Sequence, residues 1–158
     1  MFCKITVGEI HMEYYVPFMI IAVIVTVCLV SILSLRAAKR KKPQAIDLME
    51  GREFEQYCAD LLRDHNFLEV EVTKGSGDYG VDILAQKDGI SYAIQCKRYD
   101  GPVGVHAIQE IYAGRDYYDC MVGVVMTNQY FTSPAVEVAG KLKILLWDRD
   151  YLEVMASE

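Results

Sequence analysis

A predicted β-hairpin centred on Asp88-Gly89 constrains the fold of this chain more strongly than any other stretch. Both central residues of a tight hairpin turn must accept positive φ, and an Asp-Gly pair does so readily. A turn at these positions fixes the strand register and sets Asp82 directly opposite Gln95. Because side chains alternate between the two faces of a strand, Lys97 projects from the same face as Asp82 and Gln95. The hairpin is therefore predicted to gather a carboxylate, an amide and an ammonium group at one end of one face.

The opposite face of the hairpin carries apolar side chains and is predicted to pack against the core. Its members are Val81, Ile83, Ala85, Tyr92, Ile94 and Cys96. The polar face can hold a hard cation such as Mg²⁺, which prefers oxygen ligands and keeps several waters. A lysine beside such a cation can orient an attacking water or stabilise charge on a phosphate. An ordinary hairpin with a solvated polar face is the alternative interpretation of these three residues.

The spacing Asp82-x12-Gln95-x-Lys97 resembles the motif of the PD-(D/E)XK nuclease superfamily. It is most similar to the catalytic domain of Mrr-type restriction endonucleases, in which Gln replaces the usual Glu of (D/E)XK. Further matches to the Mrr-like pattern occur in the same order along the chain: Gly51, Phe54, Glu55, Asp78, Gly80, Thr127, Asn128 and Phe131. The resemblance covers residues 50–155 and leaves out the N-terminal segment.

The resemblance implies a role for each matching site residue. Asp82 is the expected metal ligand, together with the amide oxygen of Gln95 and the backbone carbonyl of Cys96. Glu55 is expected to bind or orient a water at the metal. Lys97 is expected to position the nucleophile and neutralise the scissile phosphate. The implied cofactor is Mg²⁺, with Mn²⁺ as a substitute.

Four other polar residues are weaker candidates, either for contact with the metal ligands or for contact with the substrate. They are Asp78, Gln109, Arg98 and Lys74. A turn-forming role for Asp78 and a plain surface position for Gln109 remain open at this stage. On the first predicted helix the resemblance selects Glu55, and not Glu53, as the carboxylate that faces the site.

The apolar periodicity after residue 47 predicts an α/β fold with the order α-β-β-β-α-β-α-β, in which helices flank a mixed sheet. The predicted elements are a helix from Glu50 to Asn66, a strand from Leu68 to Thr73, the hairpin, a helix from Val105 to Tyr118, a strand from Met121 to Thr127, a helix from Ser133 to Leu142 and a strand from Lys143 to Trp147. The same restriction-endonuclease-like order is what the resemblance implies.

The N-terminal part of the chain is different in character. Residues 14–35 are 22 residues without a charge, long enough to cross a ~30 Å hydrocarbon core as one transmembrane helix. Residues 36–46 form a basic linker, so the positive-inside rule places residues 1–13 outside and the domain at 47–158 in the cytoplasm. A cleaved signal peptide and a buried core helix fit less well, because the apolar run is long and the basic cluster follows it.

The charge of the predicted domain argues against unaided DNA binding. Residues 47–158 contain ten basic and twenty acidic side chains, a net charge of −10. Neutralisation of phosphates supplies most of the affinity in non-specific DNA binding. We therefore expect weak DNA affinity that depends on a divalent metal.

Two classes of function remain at the level of sequence. The first is a membrane-anchored, Mg²⁺-dependent endonuclease of the type IV restriction kind, which acts in defence on double-stranded DNA, methylated or not, with a homodimer making paired cuts. The second is a catalytically silent module that binds nucleic acid or protein at the membrane. Retention of Asp82, Gln95 and Lys97 together favours the first, whereas the acidic charge favours the second.

Overall fold

Five strands form one mixed sheet in the order of the chain: β1 (Leu68–Val72), β2 (Ile83–Lys87), β3 (Ile90–Lys97), β4 (Val122–Thr127) and β5 (Ile144–Trp147). The first three strands are antiparallel neighbours, and β3, β4 and β5 run parallel. In the described residues from 45 onward, five helices accompany the strands: α1 (Ala45–Leu48), α2 (Gly51–Asp64), α3 (Val105–Tyr117), α4 (Ser133–Leu142) and α5 (Arg149–Met155). This computed structural model describes residues 17–28, 45–75 and 77–157. The predicted mixed α/β sheet flanked by helices is confirmed, and two short helices, α1 and α5, add to the predicted order.

Both faces of the sheet are buried, each under a different pair of helices. On one face α2 and α5 pack over β2, β3 and β4, with Phe54, Leu62 and Leu152 almost fully buried. On the other face α3 and α4 cover Ala93 and Val125. The interior strand β4 is consequently apolar on both sides, as its unbroken run of apolar residues predicts.

The hairpin has the predicted register. Lys87 pairs with Ile90 and Ile83 pairs with Ile94. The turn residues Asp88 and Gly89 have φ values of 53° and 77°, as this kind of tight turn requires. The turn chemistry therefore fixed which residues of the two strands face each other.

The prediction for Val81 is wrong. Val81 packs with Ala93 and Ile111 on the α3 side, and not with Ile83 on the α2 side. The chain before β2 is a turn, in which the Val81 amide donates to the Asp78 carbonyl at 3.0 Å. Strict alternation of faces therefore begins only where β2 does.

A polar cluster around Asp47 fastens α1 to the carboxyl edge of the three parallel strands. The Asp47 carboxylate accepts hydrogen bonds from Asn128, at 2.9 Å, and from Arg149, while the Asp47 backbone carbonyl accepts one from Arg98. Those three partners follow the ends of β4, β5 and β3, respectively. One aspartate thus joins the ends of three strands next to Lys97.

The predicted membrane span falls only partly on described residues. Residues 17–28 are helical and expose apolar side chains such as Phe18, Ile20 and Val23. Residues 1–16 and 29–44, which hold the leader, the rest of the span and most of the basic linker, lie outside the described residues. Among the residues that are described, no helix has both the length and the apolar character needed to cross a membrane.

The Asp47 cluster predicts a large loss of stability in Asp47→Ala. The substitution removes a carboxylate partner of the buried Arg149 side chain, a change that typically costs about 3–5 kcal/mol. The matched control is Asp60→Ala, since Asp60 makes an exposed ion pair with Arg63 that is worth about 1 kcal/mol or less. Urea denaturation measures both free energies of unfolding. Equal losses in the two variants would contradict the role given to Asp47.

Candidate active site

Two hydrogen bonds hold Asp82 against β3. Its backbone amide donates to the Ile94 carbonyl at 2.9 Å, and its Oδ2 accepts from the Cys96 amide at 2.6 Å. Because β2 and β3 are antiparallel, the start of one strand meets the end of the other. Asp82 therefore lies beside Gln95 and Lys97 at one edge of the sheet, as predicted.

Glu55 joins this edge from α2. It pairs with Arg52 at 2.9 Å and lies close enough to Asp82 for its charge to raise the pKa of that carboxyl. Glu53 has a different task, because its carboxylate accepts from the Glu50 amide at 2.9 Å and closes the first turn of the helix. Of the two carboxylates, Glu55 is therefore the one that lies near Asp82.

The environment of Asp82 disfavours its ionised form. Burial raises the pKa of Asp82 to about 6, and the nearby carboxylates of Glu55 and Asp78 add to that effect. The hydrogen bond from Cys96 and the charge of Lys97 act in the opposite direction. A desolvated carboxylate with acidic neighbours is an environment that a bound cation would relieve.

The amide of Gln95 is buried, with only 2% of the residue exposed. Its Nε2 donates to Glu110 Oε2 at 2.9 Å, while its Oε1 is buried without a hydrogen-bond partner among the described residues. Lys97 Nζ contacts the same Glu110 oxygen at 2.9 Å. Thus the polar face of the hairpin is covered by α3, and the alternative of a solvated face is wrong for Gln95.

Glu110 joins the site although it was not among the residues predicted from the sequence. The predicted residue on this helix was the neighbouring Gln109, whose side chain is exposed. A signal was present, because Glu110 shares the helical stripe of Ala107, Ile111 and Gly114, all of which are buried. Burial opposes ionisation of Glu110, but hydrogen bonds from Lys97 and Gln95 outweigh it and lower the pKa of that carboxyl.

The loop before β2 fits closely over the pair formed by Gln95 and Glu110. Gly80 has a φ of 79°, and a Cβ at this position would lie 3.1 Å from Gln95 Nε2 and 3.1 Å from Glu110 Cβ. A larger residue would need both a strained backbone and a displaced neighbour. Asp78 shapes the same loop, because its Oδ1 accepts from the Gly80 amide at 3.1 Å.

The four weaker candidates from the sequence lie in different places. Asp78 lies near Asp82 and also forms the turn before β2. Lys74 and Gln109 are exposed, and the structure brings neither into the cluster. The guanidinium of Arg98 donates to Asp100, at 2.8 Å, and to the Asp47 carbonyl. Arg98 therefore belongs to the cluster around Asp47.

The donors at this edge suit a hard cation. Asp82 and Glu55 offer carboxylate oxygens, and Gln95 offers the buried Oε1 that lacks a partner. An all-oxygen set of this kind favours Mg²⁺ or Mn²⁺ over softer metals. Across the described residues no group of three or more His, Cys, Asp and Glu side chains is arranged to hold a metal. The candidate set differs from such a group, because an amide oxygen takes the place of one carboxylate.

Comparison with known proteins gives one matching family model and two similar solved structures. The family model Mrr_cat, described as a restriction endonuclease, matches residues 46–156. The chain is similar to the crystal structure of AF1548, a protein of unknown function, with 26% identity, a TM-score of 0.55, and coverage of 64% of this chain and 62% of that one. It is also similar to the DNA modification-dependent restriction endonuclease AspBHI, with 12% identity, a TM-score of 0.42, and coverage of 72% and 38%, respectively. No curated protein matches. The chain thus spans less than two thirds of either solved protein.

The raised pKa of Asp82 predicts that Asp82→Asn stabilises the metal-free protein at pH 8. The folded pKa of about 6 exceeds the ordinary value of 3.8, so folding favours the protonated form. That contribution is complete below pH 3.8 and is lost as the pH rises through about 6. A neutral Asn avoids the loss, so it should be more stable than wild type by about 1–3 kcal/mol at pH 8.

Urea denaturation in EDTA from pH 4 to pH 8 measures this difference. The gap between variant and wild type should open between pH 4 and pH 6 and then stay constant. Added Mg²⁺ should stabilise wild type and leave the variant unchanged, since only the carboxylate is a good ligand. A gap that does not vary with pH would contradict the argument.

Proposed function

The chain belongs to the Mrr_cat family of restriction endonucleases, and we propose that it is a metal-dependent endonuclease that hydrolyses phosphodiester bonds of DNA with Mg²⁺. The observation that carries the metal site is the buried Oε1 of Gln95, which has no hydrogen-bond partner among the described residues and lies on the strand that holds Asp82. A buried acceptor of this kind normally has a partner, and a cation supplies one.

Each residue at the sheet edge has a role in this proposal. The carboxylate of Asp82, the amide oxygen of Gln95 and the carbonyl of Cys96 hold the cation, and Glu55 binds or orients the attacking water. Lys97 places a positive charge beside the scissile phosphate and steers the nucleophile. The cation supplies Lewis acidity, which stabilises the charge that develops on the phosphate.

The substrate follows from the family and remains part of the proposal. Double-stranded DNA, methylated or not, is the expected target, and defence against foreign DNA is the expected setting. Two cuts in one duplex need two active sites, which a homodimer would supply. Because one carboxylate is replaced by Gln95, the site carries less negative charge than a site with an additional acidic ligand and should bind the metal less tightly.

The acidic charge favours a second candidate function. With a net charge of −10 over residues 47–158, the domain lacks the excess of basic side chains that supplies most non-specific DNA affinity, which favours a catalytically silent module that binds nucleic acid or protein at the membrane. In that case the residues at the sheet edge would serve only to stabilise the fold. The protein would bind a partner without cutting DNA.

Membrane anchoring through residues 14–35 is a further part of the proposal. It is supported by the charge-free sequence, the basic linker that follows, and the exposed apolar side chains of the helix at residues 17–28. Under this proposal the basic linker orients the span by the positive-inside rule, with the N-terminus outside and the nuclease domain in the cytoplasm.

Cleavage of supercoiled plasmid tests the nuclease function. The full chain should nick or linearise DNA with Mg²⁺ and not with EDTA, while Asp82→Ala and Lys97→Ala should lose roughly 10²-fold or more of the rate. Lys141→Ala is the matched control, because Lys141 makes an exposed ion pair on α4. Methylated and unmethylated plasmids in parallel would show the preference.

The outcomes separate the two candidate functions. Full activity in Asp82→Ala would contradict the assignment of the site. A folded wild-type protein that never cuts at any concentration would favour the silent module.

Protease digestion of sealed inside-out and right-side-out vesicles tests the anchor. The domain at residues 47–158 should be cut only in inside-out vesicles, because its predicted side is cytoplasmic. Recovery of the whole chain in the soluble fraction after high-salt washing would contradict anchoring.

A further inference from the structure

We propose that Glu110 is a positioning residue, whose carboxylate orients the Gln95 amide so that Oε1 faces the cation and holds the Lys97 ammonium beside it. The inference rests on the proposed metal site and adds to it a residue that does not touch the metal or the substrate. Glu110 acts through the two side chains that do.

One oxygen of Glu110 makes both contacts. Oε2 accepts from Gln95 Nε2 at 2.9 Å and from Lys97 Nζ at 2.9 Å. The other oxygen, Oε1, lies 3.1 Å from Nδ1 of the exposed His106. The Glu110 carboxylate thus has three partners, and two of them are the side chains of β3 that it orients.

The carboxylate determines which end of the Gln95 amide points where. An amide has a donor end and an acceptor end of nearly equal size, and an ionised carboxylate can only accept. With Nε2 on Glu110, the oxygen is left as the free acceptor. The flipped amide would set two oxygens against each other and direct its N–H groups toward a cation.

The surrounding backbone makes this arrangement rigid. Gln95 is 2% exposed, and a Cβ at Gly80 would lie 3.1 Å from Glu110 Cβ. The Glu110 backbone belongs to α3, which is packed on the sheet through Ile108 and Ile111. The orientation of Gln95 is therefore set by the tertiary packing of α3 on β3.

A merely structural ion pair makes a different prediction from a positioning residue. Loss of a structural pair would lower stability and leave metal affinity unchanged. Loss of a positioning residue lowers metal affinity even where the protein is folded, and typical losses for residues that orient metal ligands are roughly 10–100-fold.

The test is calorimetric titration of the full chain with Mn²⁺ in the absence of DNA. Glu110→Ala should weaken Mn²⁺ binding roughly 10-fold or more. Glu110→Gln should stay within about threefold of wild type, because a single amide oxygen in the place of Oε2 can accept from both Gln95 and Lys97. Glu137→Ala, which removes an exposed ion pair on α4, should bind as wild type does.

A second variant covers the case in which Glu110→Ala does not fold. Glu110→Met keeps the length of the side chain without an acceptor, and it should lose as much affinity as Glu110→Ala. Circular dichroism before each titration confirms that the protein is folded.

The outcomes distinguish this inference from the function on which it rests. Wild-type affinity in folded Glu110→Ala or Glu110→Met would overturn the positioning role and leave the metal site standing. Equal loss in Glu110→Gln would overturn orientation by hydrogen bonding. No Mn²⁺ binding by wild type would overturn the metal site and this inference with it.

Discussion

The site depends on one hydrogen bond between neighbouring strands, from the Cys96 amide to the Asp82 carboxylate at 2.6 Å. It exists only because the turn at Asp88 and Gly89 sets the register of the hairpin. A shift of one residue would turn Gln95 and Lys97 to the opposite face, under α2. The turn therefore controls the position of the polar groups as well as the path of the chain.

Burial strengthens the electrostatic interactions of those polar groups, and it also makes each group costly to leave without a partner. Gln95 is placed under α3, where its amide would be costly to leave unpaired. Glu110 satisfies the nitrogen of that amide, and the oxygen stays available. Asp82 is likewise desolvated, which raises its pKa and makes a cation a favourable neighbour. The low polarity of these surroundings makes an unpaired polar group costly and strengthens each hydrogen bond or ion pair that does form.

The sequence predicted much of the fold because its signals are local. The period of the apolar residues identified the helices and strands. Residues Asp82, Gln95 and Lys97 were found from turn geometry and strand alternation. Val81 was misplaced because the turn at Gly80 interrupts that alternation. Glu110 was missed because its partners lie on β3 and not on its own helix. Local sequence signals do not reveal which face of a helix packs on which strand.

The sequence by itself determined the order of the elements from α2 to β5, the register of the hairpin and the residue types at the sheet edge, since turn preference and side-chain period act over a few residues. Only the tertiary structure decided that α3 covers the polar face of β3, that Glu110 rather than Gln109 meets Gln95, and that Asp47 joins the ends of three strands. These contacts link residues far apart in the chain, and their partners are selected by packing and by the need to pair buried polar groups.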